Sequence, residues 1–246
     1  MLPAMLELAD PTPARQPICT LAHRVGMATP QPPTRPNGFP QQLGVPGLSL
    51  SGPGTWATSA EAREQGRRGE ERTAAVLAHL LTPGGPSVLH SLRLPMAGVE
   101  ADIDHVVVAG RDVWILDSKT WRPAFYWTLR GRTRRGWRPV SFADRHTSEM
   151  ALQSLRRRFV ESEVSAVVHR PLVVVWPSNQ ASQMNLALYR PRGAKAIHGD
   201  ALEGRLARMS QSGPADPAVV AVLYPLLSTA RLAATRERPH RVLDEF

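Results

Sequence analysis

The chain has 246 residues, 42% hydrophobic and 21% charged, with a formal net charge of +9. That length suits one substantial domain with extensions, or two small ones. A single cysteine, Cys19, excludes a disulfide within the chain and any Cys-His zinc pattern. No apolar run approaches the ~20 residues of a membrane helix, and no basic segment followed by an apolar one marks a signal peptide. A reducing, cytoplasmic setting without membrane attachment is the expectation. Of the 30 basic residues only Lys119 and Lys195 are lysines. Such an excess of Arg favours an anionic partner, most simply nucleic acid, because Arg pairs bidentately with phosphate. High-GC codon usage would raise Arg, Ala, Pro and Gly together, so the bulk charge stays open between the two readings. Codon usage does not account for where the Arg residues cluster.

Residues 1–57 are rich in proline, as in Thr29-Pro30-Gln31-Pro32-Pro33-Thr34-Arg35-Pro36. Such stretches form neither helix nor central strand, and the expectation is a disordered or extended leader. A domain is expected over 58–235, with the informative part at 61–180, and a tail over 236–246. Glu61 to Leu81 reads as a helix whose inward stripe includes Thr73, Leu77, Leu80 and Leu81. Pro83-Gly84-Gly85-Pro86 ends it. Val88 to Leu94, Val99 to Val108 and Val113 to Lys119 read as strands, the last two joined by the turn Ala109-Gly110-Arg111-Asp112. Phe125 to Phe142 suggests another hairpin, rich in Arg and Trp. Thr147 to Glu163 reads as a helix, with Leu152, Leu155 and Phe159 inward. Pro171 to Trp176 is a buried strand, Ala194 to His198 a short one, and Ala201 to Met209 a helix. Asp216-Pro217 supplies a cap and first residue for a last helix, broken at Pro225. The order gives an α/β domain: a mixed central sheet with an antiparallel hairpin, flanked by helices.

The hairpin carries the chemistry. Pairing around Gly110 and Arg111 sets Val108 against Val113, Asp104 against Asp117 and Asp102 against Lys119. Alternation puts all four polar residues on one face, with opposed Cβ atoms roughly 4.5–5.5 Å apart. His105 falls on the other face, as a core histidine. Two opposed carboxylates call for a cation, and Mg²⁺ favours carboxylate oxygens plus water. A metal there could polarise a phosphoryl oxygen and activate water. Lys119, a compact charge where the rest of the chain uses Arg, could orient that water or stabilise the developing charge. The competing reading is a solvated set of charges with Asp102 bridged to Lys119. Glu70, at helical spacing with Thr73 and Leu77, sits on the inward stripe and needs a partner. Gly66 and Gly69 beside it suggest a close approach of the helix to its neighbour.

These residues together resemble the nuclease-related domain, NERD, of the PD-(D/E)XK nuclease-like superfamily. The resemblance rests on Gly66-x-x-Gly69-Glu70, Ile103-Asp104-His105-Val106-Val107-Val108 and Val113-Trp114-Ile115-Leu116-Asp117-Ser118-Lys119. Gln153 looks like the glutamine such domains carry on the next helix. The resemblance implies a restriction-endonuclease-like fold and a Mg²⁺ (or Mn²⁺) nuclease. Asp104, Asp117 and Glu70 would bind the metal, Lys119 would assist catalysis, and Gln153 would support the site or contact substrate. Asp117 stands where the family more often has Glu, Ser118 where it has Thr, and Thr147-Ser148-Glu149 where an Asn-Pro pair commonly begins the helix.

Between hairpin and helix, Arg130, Arg132, Arg134, Arg135 and Arg138 lie beside Trp127 and Trp137. The Arg residues are expected to bind nucleic acid and the Trp rings to pack in the core. The expected activity is metal-dependent hydrolysis of phosphodiester bonds, with DNA ahead of RNA as substrate and a role in DNA processing or repair. The alternative is a basic binding or interaction module that keeps the fold without turnover.

Overall fold

The structure is a computed structural model that describes residues 42–48, 59–94, 101–144, 146–179 and 183–229. Most of the leader, Cys19 and the tail lie outside the described residues. Residues 42–48 depart from expectation: they are built into the domain. Gln42–Leu43 form a short strand, β1, parallel to β2, Ser87–Arg93.

The hairpin forms in the expected register. β3, Asp102–Ala109, and β4, Asp112–Trp121, pair antiparallel from Ala109↔Asp112 to His105↔Leu116 around Gly110, whose φ of 51° suits glycine. There the ladder ends. β3 continues against β2, through Leu92↔Ile103 and Arg93↔Asp102. β4 continues against β9, Leu172–Pro177, in parallel from Leu116↔Leu172 to Trp121↔Pro177. The two strands that carry the acidic residues therefore fork just where Asp104 and Asp117 stand.

The main sheet runs β1-β2-β3-β4-β9-β11, with β8, Val167–Val168, also on β4 and β11, Lys195–His198, at the edge. Its parallel half needs a crossover, which α2, Thr147–Glu161, provides between β4 and β9. On one face pack α1, Ala60–Leu77, and α3, Glu203–Met209, through Leu77, Leu202, Leu206 and Met209 against Val107, Leu116 and Val174. On the other face pack α2 and α4, Pro217–Leu223, through Leu155, Phe159, Val219 and Leu223 against Val106 and Ile115. Ser59 caps α1 by accepting from Ala62 N–H, and Asp216 caps α4 by accepting from Ala218 N–H at 2.9 Å. The first helix stops earlier than expected, at Leu77, and a 3₁₀ turn follows at Ala78–Leu80. The last helix gives way to a 3₁₀ turn at Tyr224–Leu226, as Pro225 requires.

A second, four-stranded sheet follows the hairpin, in the order β10-β5-β6-β7. Its strands are β5, Phe125–Leu129; β6, Arg132–Arg135; β7, Arg138–Pro139; and β10, Asn185–Leu188. The inner side packs Tyr126 with Trp121, Val173, Val175 and Tyr189. Trp137 corrects the expectation of core packing: it is 86% exposed, at the turn between β6 and β7. No helix among the described residues is long and apolar enough to cross a membrane.

Candidate active site at the strand fork

The fork leaves β4 backbone without a β3 partner, and a side chain fills the gap. Ser118 N–H donates to Asp104 Oδ2 at 2.6 Å. Asp104 is thereby held inside the opening between strands. Lys119 Nζ, next along β4, donates to Asp117 Oδ1 at 2.5 Å. Asp117 Oδ2 accepts from Ser148 Oγ at 3.2 Å, from the first turn of α2. A helix N-terminus favours that carboxylate further.

Glu70 arrives from α1, whose buried side includes Gly69, Glu70, Thr73 and Leu77. Gly69 permits the approach. A Cβ there would lie 2.4 Å from Thr120 Oγ1, so the helix packs against β4 one residue past Lys119. Glu70 Oε2 accepts from Gly47 N–H at 2.8 Å. The segment expected to be leader thus helps to seat a site carboxylate.

The acids share one electrostatic environment. Burial, then Asp117 and Asp102, push the Glu70 carboxyl up to about 7, against Gly47 N–H and Lys119. Burial, then Glu70 and Asp117, push Asp104 well above the usual carboxylate range, against Lys119 and Ser118 N–H. Burial works against the Lys119 charge, but Asp117, Asp104 and Glu70 outweigh it and raise the ammonium above its ordinary value. Lys119 is therefore a cation at neutral pH.

Behind the site runs a buried chain of hydrogen bonds. Gln42 Nε2–H can only donate, so His90 Nε2 accepts at 3.2 Å. His90 Nδ1 then donates to His105 Nδ1 at 2.7 Å, and His105 Nε2 to Ser118 Oγ at 3.1 Å. Ser118 Oγ donates to Thr73 Oγ1 at 2.8 Å, and Thr73 donates to Gly69 O at 3.0 Å. Trp176 Nε1 also donates to Thr73 Oγ1, at 2.8 Å. Each imidazole is neutral in this direction of donation. Burial depresses His90 to about 4, and burial with His90 beside it holds His105 well below the ordinary range. The chain fixes Ser118, whose N–H holds Asp104, and Gly69, whose neighbour is Glu70.

Glu70, Asp104, Asp117 and Lys119 thus come together. Gln153 does not join them by any contact among the described residues. The buried side of α2 runs through Ser148, Ala151, Ser154, Leu155 and Phe159, and Gln153 is exposed off that side. The α2 residue on Asp117 is Ser148, legible as the first member of a helical stripe with Ala151, Leu155 and Phe159. Gly47 N–H carried no signal in the sequence. Nor did Tyr189, whose hydroxyl burial, then Asp117 and Asp144, hold above its usual range. Among the candidate binding arginines, Arg130, Arg132 and Arg138 are exposed and Arg134 and Arg135 half-buried.

Among the described residues no three His, Cys, Asp or Glu side chains converge in metal-holding geometry. The donor chemistry nevertheless fits a hard divalent cation. Three carboxylates supply oxygen ligands, two of them forced toward protonation by burial and mutual repulsion, which a cation would relieve. One oxygen of Asp104 and one of Glu70 are engaged by backbone N–H groups, and their Oδ1 and Oε1 have no hydrogen bond among the described residues.

No curated protein and no solved structure matches the chain. Residues 65–175 match the family model NERD, nuclease-related domain. That span takes in Glu70, both hairpin strands, Ser148 and the Arg-rich hairpin. The match to this nuclease-related domain runs from the middle of α1 into β9.

Proposed function

We propose that this protein is a metal-dependent nuclease that hydrolyses phosphodiester bonds of DNA, in DNA processing or repair. The observation that carries the reading is the gathering of Asp104, Asp117, Glu70 and Lys119 at the strand fork. Asp104, Asp117 and Glu70 would hold Mg²⁺ or Mn²⁺. When bound, such an ion supplies Lewis-acid polarisation of a phosphoryl oxygen and a more acidic water.

The chain's own residues do the remaining work. Lys119 presents a fixed positive charge that can leave Asp117 for an anionic oxygen on a substrate phosphate and stabilise charge building there. Ser148 holds Asp117 by its second oxygen while Lys119 moves. Ser118 N–H and Gly47 N–H orient Asp104 and Glu70 before substrate arrives, so little reorganisation is left to the reaction.

Incubation of the protein with single- and double-stranded DNA and Mg²⁺ or Mn²⁺ tests the reading. Cleavage that falls by about 10²-fold or more in Asp117→Ala and Lys119→Ala supports it. Salt-sensitive binding without product, unchanged by either substitution, would establish the non-catalytic module in its place.

A further inference from the structure

The small sheet has two unlike sides. Cross-strand partners share a side, and Trp127↔Arg134 and Leu129↔Arg132 fall on the outer one. Phe125 joins them by alternation, and Leu188 by its pairing with Trp127. This side is exposed where a folded domain would normally bury such residues: Leu129 is 55%, Leu188 54% and Phe125 42% exposed. Trp137, still more exposed at the adjoining turn, stands perpendicular to Trp127, with ring centroids 6.3 Å apart and planes at 85°.

The apolar groups are set among cations. From Arg122 to Ala143 the chain has six Arg and no Asp or Glu; Arg132 and Arg134 share the outer side, whereas Arg135, paired with Tyr126, faces inward. Arg134 leans over the Trp127 ring, 5.7 Å from its centroid, and donates to Trp137 O at 2.9 Å, so it stiffens the turn that presents Trp137. Trp127 Nε1 donates to Gly136 O at 2.7 Å and braces the same turn from the other side. Arg130 and Gly131, both at positive φ, form the tight turn of the β5–β6 hairpin and carry a further exposed cation to its tip.

An apolar protein partner would not call for Arg132 and Arg134 on this side and Arg130 at its tip, whereas an unpaired nucleic-acid strand calls for both features. Its phosphates need Arg, and its bases offer flat faces to aromatic rings only when they are not paired. We infer that the outer side of this sheet is a binding platform for single-stranded nucleic acid, with bases stacked on Trp137 and its aromatic neighbours and phosphates on the surrounding Arg. The inference rests on the nucleic-acid reading of the preceding section and adds the strandedness of the ligand. The sheet begins at Phe125, close along the chain from Lys119.

The test is fluorescence anisotropy with the full chain and a labelled oligothymidylate of about 16 nucleotides, without divalent ions. The expected result is tighter binding of this probe than of a duplex of equal length. Trp137→Ala weakens it roughly 5- to 100-fold, Trp137→Phe restores most of the loss, and Arg132→Gln lowers the salt slope by about 0.7. Trp137 is almost free of packing, so Trp137→Ala keeps the fold, which circular dichroism verifies. Unchanged affinity in Trp137→Ala, or preference for the duplex, overturns the platform, as does binding of an acidic polypeptide in place of the oligonucleotide. The two readings fail separately. Trp137-dependent binding without cleavage under any metal removes the nuclease and leaves the platform; cleavage with Trp137-independent binding does the reverse.

Discussion

Ser118 N–H donates to Asp104 Oδ2 at the point where β3 and β4 part. A side-chain carboxylate replaces a backbone partner, so the fork costs no unsatisfied donor at Ser118. The acid pays by burial, since its carboxyl is pushed well above the usual range. Asp104→Asn keeps an oxygen for Ser118 N–H and removes the buried acid. Its melting temperature in metal-free buffer is expected to equal or exceed that of the wild type. Its cleavage should fall by about 10²-fold or more. A variant that melts earlier would show Asp104 to be structural first.

Divalent cations should stabilise the protein, and increasingly so as pH rises. Glu70 ionises only around 7 and Asp104 is displaced in the same direction, so metal must displace protons from both at lower pH. Thermal melts with millimolar Mn²⁺ should show a shift at pH 8 that is larger than at pH 6. The shift should disappear in Asp104→Asn and shrink in Glu70→Gln. A shift independent of pH and of both substitutions would place the cation elsewhere.

The hairpin register, its turn and the inward face of Glu70 were legible because each depends on local alternation or helical spacing. The fork was not. It arises because β4 finds a parallel partner in β9, distant in sequence, while β3 stays with β2. The extrapolated pairing of Asp104 with Asp117 is therefore replaced by a carboxylate set into the opening. Gly47 escaped notice for a similar reason: its contribution is a backbone N–H, independent of side-chain identity, in a stretch where the prolines suggest no structure. Trp137 was misread because aromatic character alone suggests a core position. Its exposure comes from the β6–β7 turn, where Gly136 takes a φ of 56°.

Thr73 is the junction of the buried chain. It accepts from Ser118 Oγ and Trp176 Nε1 and donates to Gly69 O. Thr73→Val keeps shape and removes every one of these bonds. Each of the two orphaned buried donors is expected to cost about 1–3 kcal/mol, read by urea unfolding. A near-neutral variant would mean that the chain can re-pair without Thr73.

Burial depresses His90 to about 4 from an ordinary value near 6.5. The unfolded chain then binds the proton more tightly than the folded one. The His90 contribution is full above about 6.5 and is lost as pH falls through 4, on the order of 3 kcal/mol in all. Glu70 and Asp104 act in the opposite sense, so the wild-type profile alone would mix the effects. The stability difference between wild type and His90→Gln isolates it, and should shrink steadily from pH 7 to pH 4. A constant difference would mean that His90 is not buried as a neutral imidazole.

Ser148 and Gln153 divide α2 between a buried and an exposed side, and only Ser148 reaches Asp117. Ser148→Ala removes one of the two bonds that orient Asp117, and kcat is expected to fall several-fold, on the order of the 10-fold that ~1.4 kcal/mol represents. Gln153→Ala should stay within about twofold of wild type, because substitutions at exposed positions rarely disturb a site they do not touch. Steady-state cleavage of one oligonucleotide by both variants decides the matter. A large loss in Gln153→Ala with Ser148→Ala unaffected would mean that substrate binding turns or shifts α2, and would restore to Gln153 the role that the resemblance assigns it.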